Sequence, residues 1–159
     1  MTHVRTFNTI EIGESSMLNV SGLKEGFVLD HIQAGKSMAI YKYLGLDKLD
    51  CQVAIIKNAK SNKMGRKDII KIECDINVIN LDVLGYIDHN ITVNIIKDQV
   101  IVEKKTLALP KKIKNVIFCK NPRCITSIEQ ELPHVFVLTD EENEEYRCMY
   151  CEEKHHKKY

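Results

Sequence analysis

An α+β fold in two domains is predicted by three observations on this 159-residue chain. Strand-like and helix-like patterns follow one another in the order β-α-β-β-α-β, a proline and a run of lysines interrupt them near Pro110, and paired cysteines follow that break. The order is that of a ferredoxin-like split β-α-β domain, an antiparallel sheet with helices on one face. The cysteine-bearing remainder is too short to bury a core unaided, so a small all-β zinc-binding domain is expected there. The expected limits are an arm over residues 1–17, a first domain over 18–110 and a second over 111–159.

The first strand is expected in the apolar run Phe27, Val28, Leu29 and Ile32, with Asp30 and His31 inside it. Gly35 to Leu44 reads as a helix with Met38, Tyr41 and Leu44 at helical spacing and Gly45 as its stop. Cys51 to Lys57 is a second strand, Asn58 to Gly65 a polar loop, and Asp68 to Glu73 a third strand with Ile70 and Ile72 on one face and Ile69, Lys71 and Glu73 on the other. Val78 to Tyr86 is a weaker helix pattern. Ile91 to Ile96 and Gln99 to Lys105 form a hairpin around Lys97-Asp98. Beyond Pro110, short strands are expected at Asn115 to Cys119 and His134 to Leu138, with Asp140 to Glu145 as a solvated hairpin tip. In the first seventeen residues a disordered arm is the default and a strand through Phe7, Ile10 and Ile12 the alternative.

Cys119 and Cys124 in Cys-Lys-Asn-Pro-Arg-Cys, with Cys148 and Cys151 in Cys-Met-Tyr-Cys, have the spacing of a structural zinc site. Two short pairs on tight turns bring four thiolates to the corners of a tetrahedron, and four protein ligands leave no position open for water or substrate. The competing readings are four unrelated thiols or two disulfides. Cys51 and Cys74 lie in strand-like runs and read as buried structural thiols.

Charge and motifs exclude several classes. Lys and Arg total 23 against 22 Asp and Glu, a net charge of +1, which is a poor footprint for general nucleic-acid binding. Met1 to Ser15 carries Arg5, Glu11 and Glu14 without an apolar core, so neither a signal nor a membrane anchor is expected, and the location is expected to be cytoplasmic. Ala34-Gly35-Lys36-Ser37 resembles the end of a phosphate loop, but Asp30 stands where that motif needs its first glycine. No nucleophile elbow and no His-Glu-x-x-His helix occurs, and His155 and His156 sit in a Lys-rich tail that reads as solvated surface. Nothing argues for an enzyme.

Three segments carry a family resemblance. Gly26 to Ile32, Met64 to Glu73, and Leu109-Pro110 through Asn115-Val116 into the two cysteine pairs and Glu152 resemble the aspartate carbamoyltransferase regulatory chain from about Leu18 to Glu152. The resemblance implies a non-catalytic subunit with an N-terminal nucleotide-effector domain and a C-terminal domain holding one structural Zn2+ and docking on catalytic chains. It further implies a regulatory-chain homodimer, three such dimers linking two catalytic trimers, and control of pyrimidine synthesis by nucleoside triphosphates such as CTP, ATP and UTP, with Mg2+ as an accompanying cation.

By the same resemblance, Asp30 takes the ribose, Lys71 lies near ribose and base, and Lys104, Asn94 and His31 face the phosphates. Main-chain groups of Leu23 and of Gln99 to Ile101 read the base edge, and Lys24 and Lys67 serve a second nucleotide bridged through a cation. Each has a plain alternative: Asp30-His31 as a local hydrogen-bonded pair, Lys71 as an edge lysine, Lys104 as a solvated charge. The chain departs from the family pattern at Ser21, where an acidic side chain is expected and which bears on the second nucleotide, at Gln99 in place of an aromatic, and at Arg123 in place of an amide. Two other classes share the features: a zinc-ribbon nucleic-acid-binding protein, whose phosphate contacts would come from Lys57, Lys60, Lys63, Arg66 and Lys67, and a free-standing nucleotide sensor without a catalytic partner.

Overall fold

A computed structural model describes residues 22–157; the expectations for the N-terminal arm and for Ser21 lie outside them. The chain forms two compact units, one running up to Asn80 and including Asn90–Leu107, the other Leu81–His89 with Ala108 onward.

The first unit carries β1 (Glu25–Gln33), α1 (Ser37–Tyr43), β2 (Gln52–Ser61), β3 (Gly65–Glu73), β4 (Thr92–Lys97) and β5 (Val100–Thr106). The sheet order is β2-β3-β1-β4-β5, every pair antiparallel. β1 thus lies between β3 and β4, the interleaving that a split β-α-β order dictates. Side chains of a strand alternate between faces and cross-strand partners share one. Phe27, Leu29, Ile70, Ile72, Val93 and Ile95 fall on one face, where all are buried. The opposite face carries an apolar cluster of Leu23, Val28, Ile56, Ala59, Ile69 and Ile96. β3 is therefore covered on both faces, and its isoleucines form one continuous buried run.

Three details of the first unit's helix, strand and turn differ from the sequence expectation. α1 buries Ser37 and Ile40 while Met38 is 45% exposed, because the Asp68 carboxylate accepts from the Gly35 and Ser37 amides and so fixes the first turn. β2 continues to Ser61 through a bulge between Ile56 and Ala59, where Asn58 takes φ 59° and its amide donates to Asp68. The β4–β5 turn is Asp98-Gln99, both with positive φ, so Gln99 belongs to the turn and not to the strand.

Cys51 and Cys74 are not isolated buried thiols. They are half-buried and joined in a disulfide, because the β2–β3 register opposes them one step beyond the Gln52↔Glu73 pair. Gly26 takes φ +151° with no room for a Cβ beside the Ile72 carbonyl, so the β1–β3 approach requires glycine there.

The second unit contains α2 (Leu81–Ile87), β6 (Lys112–Lys114), α3 (Ile125–Ile128), β7 (Val135–Asp140), β8 (Glu145–Cys148) and β9 (Lys154–His155). Its sheet is the antiparallel meander β6-β7-β8-β9. The strand expected at Asn115 to Cys119 is instead irregular backbone after β6, since Asn115 turns with φ 56° and its side-chain oxygen accepts from the His134 amide. Tyr146 is the centre of this unit. Its ring meets Tyr86 edge-on at 5.1 Å and its hydroxyl donates to the Pro110 carbonyl at 2.7 Å.

Candidate functional site

Two constellations have the chemistry of a site, one in each unit. In the second unit the sulfurs of Cys119, Cys124, Cys148 and Cys151 all lie within 4.8 Å of one another. The Cys119 and Cys151 sulfurs are 3.5 Å apart and those of Cys124 and Cys148 3.8 Å. A tetrahedral ion with sulfur at ~2.3 Å requires sulfur–sulfur edges of about 3.8 Å, so the four residues fit such an ion. Neither pair is a disulfide.

The thiols themselves show why an ion belongs there. Burial, against the Asn121 amide and reinforced by the neighbouring thiols, pushes Cys119 up to about 12; burial likewise raises Cys148. Burial opposes ionisation of Cys124 as well, but the Thr126 hydroxyl and amide and the other cysteines bring it down to about 7. Packed together, the thiols cannot all ionise, and a bound dication supplies the charge that lets them. Two supporting residues were not singled out from sequence: the Thr126 hydroxyl donates to the Cys124 sulfur at 3.1 Å, and His134 Nδ1 accepts from the Cys119 amide at 3.1 Å. The position of Thr126, two residues after a ligand, was the available signal; His134 had none.

The sheet face with the apolar cluster carries the second constellation. The register places Lys71 opposite Val28, Val28 opposite Asn94, and Asn94 opposite Lys104, a single row across β3, β1, β4 and β5. Asp30 lies one same-face position along β1, opposite Thr92. Asp30, Lys71, Asn94 and Lys104, distant in sequence, therefore share one face. Leu23 is in the cluster at its edge, the Lys24 carbonyl accepts from the Gln99 amide at 3.1 Å, and Ile101 pairs with Ile96.

A β-bulge between Leu29 and Ile32 shapes the centre of this face. His31 takes φ 61°, an uncommon conformation for a non-glycine residue that bulges create near functional groups. The Asp30 carboxylate accepts from the His31 amide at 2.6 Å, so the local pair expected as the plain alternative is present. It is also ion-paired with Lys67 at 2.9 Å, and both side chains are buried. The His31 ring meets the Thr92 hydroxyl at 3.2 Å. Burial lowers the pKa of His31, helped by Lys67, Lys63 and Lys104 and opposed by Asp30; burial also lowers that of Lys71. Lys67, paired with Asp30, and the buried Lys71 lie on this face, with Lys104 in the same cross-strand row as Lys71. The face offers basic side chains to an anion.

A two-unit chain with a four-cysteine cluster of metal-site geometry in one unit and a sheet face bearing Asp30, Lys71, Asn94 and Lys104 in the other has the features of a metal-binding, ligand-binding chain. Comparison with known proteins identifies the family. Residues 18–108 match the aspartate carbamoyltransferase regulatory chain allosteric domain, and residues 111–159 the metal binding domain of the same chain. Aspartate carbamoyltransferase regulatory chains of Clostridium botulinum, Clostridium tetani and Bifidobacterium longum are 58%, 53% and 43% identical to it, each over 86% of this chain and 93%, 95% and 98% of the relative. The chain belongs to the aspartate carbamoyltransferase regulatory chain family, which is non-catalytic. It carries an allosteric domain and a metal-binding domain. Among the described residues no helix is long and apolar enough to cross a membrane.

Proposed function

We propose that this chain binds nucleoside triphosphates, CTP, ATP and UTP among them, on the face bearing Asp30, Lys71, Asn94 and Lys104, and passes the binding energy to catalytic chains of aspartate carbamoyltransferase in the cytoplasm. The observation that carries the reading is the cross-strand row joining Lys71, Asn94 and Lys104 beside Asp30. A ribose needs a carboxylate acceptor for its hydroxyls and a triphosphate needs ammonium donors. Asp30 serves the first need, with Lys71 beside ribose and base, while Lys104, Asn94 and His31 serve the second. Main-chain groups at Leu23 and Ile101 read the base. Lys24 and Lys67 serve a second, Mg2+-bridged nucleotide, for which Lys67 must release Asp30.

The metal is Zn2+, one per chain, held by Cys119, Cys124, Cys148 and Cys151 in a closed structural site. The effector domain spans 18–110 and the zinc domain 111–159, preceded by an arm over 1–17. The zinc domain meets the catalytic chains, and the exposed Phe118, Ile125, Met149 and Tyr150, next to ligand cysteines in sequence, with the exposed Ile128 one helical turn beyond Cys124, supply an apolar surface for that contact. Regulatory chains pair as homodimers, three dimers joining two catalytic trimers.

As a member of a non-catalytic family, the chain acts through a coupling free energy of about 1 to 3 kcal/mol. Lys104→Ala tests the effector face. Calorimetry on the metal-loaded chain should show triphosphate binding weakened about 10- to 100-fold and nucleoside binding little changed, since a charge-assisted contact contributes about 1.5 to 3 kcal/mol. Asp30→Ala should weaken both. Equal losses for nucleoside and triphosphate in Lys104→Ala would refute the phosphate role. Mixed with catalytic trimers, Lys104→Ala should still assemble and lose the nucleotide response.

A further inference from the structure

Cys51 and Cys74 belong neither to the metal cluster nor to the cation-rich face, and they join the ends of the β2–β3 hairpin. The two strands pair continuously through Gln52↔Glu73, Val53↔Ile72 and Ala54↔Lys71, which sets the cysteines opposite one another with Cα atoms 5.5 Å apart. That separation is within the range a disulfide spans. The sheet makes the placement, not the bond: the ladder holds both residues face to face whether or not the sulfurs are linked. Ring closure therefore needs no rearrangement, and both residues are half-buried, so a small thiol or disulfide reaches them. The four cysteines of the second unit are of another kind, because metal ligation occupies their thiolates.

We propose that Cys51 and Cys74 form a reversible thiol–disulfide site, a redox clamp on the first unit that exchanges with low-molecular-weight disulfides and thiols while the metal cluster stays intact. In the forward direction the thiolate of one cysteine attacks the sulfur–sulfur bond of a small disulfide. A mixed disulfide forms and one small thiolate leaves. The second cysteine's thiolate then attacks the protein-side sulfur of the mixed disulfide and displaces the other small thiolate. One small disulfide is reduced to two thiols, which take up the two protons the cysteines gave, and the two cysteines are oxidised to one disulfide. Excess small thiol runs the same steps backward. The closed loop spans β2 and β3, so oxidation restricts the unfolded chain where the sheet edge would otherwise open. β3 also carries Lys67 and Lys71, which makes the clamp a means of stiffening the strand that supports the effector face.

The test uses the full-length, metal-loaded chain equilibrated with glutathione disulfide or with excess reduced glutathione, then alkylated and mapped by mass under non-reducing conditions. The expected result is a linked Cys51–Cys74 peptide pair in the oxidised sample, both cysteines alkylated in the reduced one, and metal content equal in the two. Hydrogen exchange followed with temperature should place loss of protection in β2 and β3 roughly 5 °C or more higher in the oxidised chain. Cys51→Ser and Cys74→Ser should each retain the metal and abolish that difference. Both cysteines remaining alkylatable in glutathione disulfide, loss of metal before the link forms, or identical protection in the two redox states would overturn the proposal.

Discussion

The two units reach stability by opposite routes. In the first, five strands stack isoleucine and valine across two faces, and Leu29, Ile32, Ile69, Ile70, Ile72, Val93 and Ile96 are fully buried. In the second, a four-stranded meander closes on Tyr146 and Phe136 with Leu84 and Ile113, and two of its most deeply buried side chains are the thiols Cys124 and Cys148. Each buried Ile or Leu contributes about 1.5 to 3 kcal/mol. The first unit thus has an extensive apolar core, and the second has, in place of part of one, a four-cysteine cluster with the geometry of a metal site.

The sharpest way to break this contrast is to remove the metal. Chelation, or Cys148→Ser, should unfold the second unit while the first retains its exchange protection, because structural-site binding energy of about 10 to 16 kcal/mol is folding energy in small metal domains. Metal analysis with unit-resolved hydrogen exchange decides it. A folded second unit in metal-free protein would mean that its apolar core suffices.

The contrast also explains what was legible beforehand. Burial on both faces makes β1 read as an apolar run, the isoleucines of β3 mark it as a strand, and the paired cysteines announce a metal whatever the backbone around them does. Features set by register were not legible. The bulge at Asn58 hides β2's last residues in a run that looks like polar loop, since the donor–acceptor bond that holds it comes from Asp68 on another strand. The buried face of α1 was misread because that same carboxylate, and not the Met38–Tyr41 spacing, orients the first turn. The Asp30–Lys67 ion pair and the Cys51–Cys74 link likewise join positions that only strand pairing brings together. Asn115 to Cys119 has strand composition but spends its backbone on the turn that presents a ligand.

Asp68 gives a smaller but cleaner test, confined to the first unit. Its side chain is fully buried. Burial works against the charge, but the amides of Asn58, Ser37 and Gly35 that donate to the carboxylate outweigh it and hold the carboxyl below its ordinary range. A carboxyl depressed in the folded state stabilises above its unfolded pKa, near 4, and that stability is lost as pH falls through the lower folded value. Asp68→Asn should cost about 2 to 3 kcal/mol by leaving buried amides poorly paired. It should also flatten the acid limb of the first unit's stability curve below about pH 4. Protection in the metal-loaded second unit should not move. A variant with the wild-type acid limb would assign that limb to other carboxylates.

The smallest effect separates the two histidines whose pKa values are lowered. His155 is lowered by burial and by Lys120, His156 and Lys157, and its ring packs on Phe136 and Tyr86. His31 is lowered by burial and by Lys67, Lys63 and Lys104, with Asp30 opposing. A phosphate arriving beside His31 would favour the imidazolium and raise its pKa. Triphosphate affinity should therefore increase as pH falls from about 7 toward the depressed value below 6.5, and the gain is bounded at tenfold for each unit by which binding raises the pKa. His31→Gln should remove this slope while keeping most of the affinity at pH 8, where the imidazole is neutral in any case. His155→Gln should leave the slope untouched, because its ring packs on Tyr86 and Phe136 within the second unit, and the face that carries His31 belongs to the first. Calorimetric titration of the metal-loaded chain with a triphosphate between about pH 6 and 8, in buffers of differing ionisation enthalpy, reads both affinity and proton uptake. Proton uptake that survives His31→Gln would place the titrating group elsewhere on the face and remove His31 from the phosphate contacts.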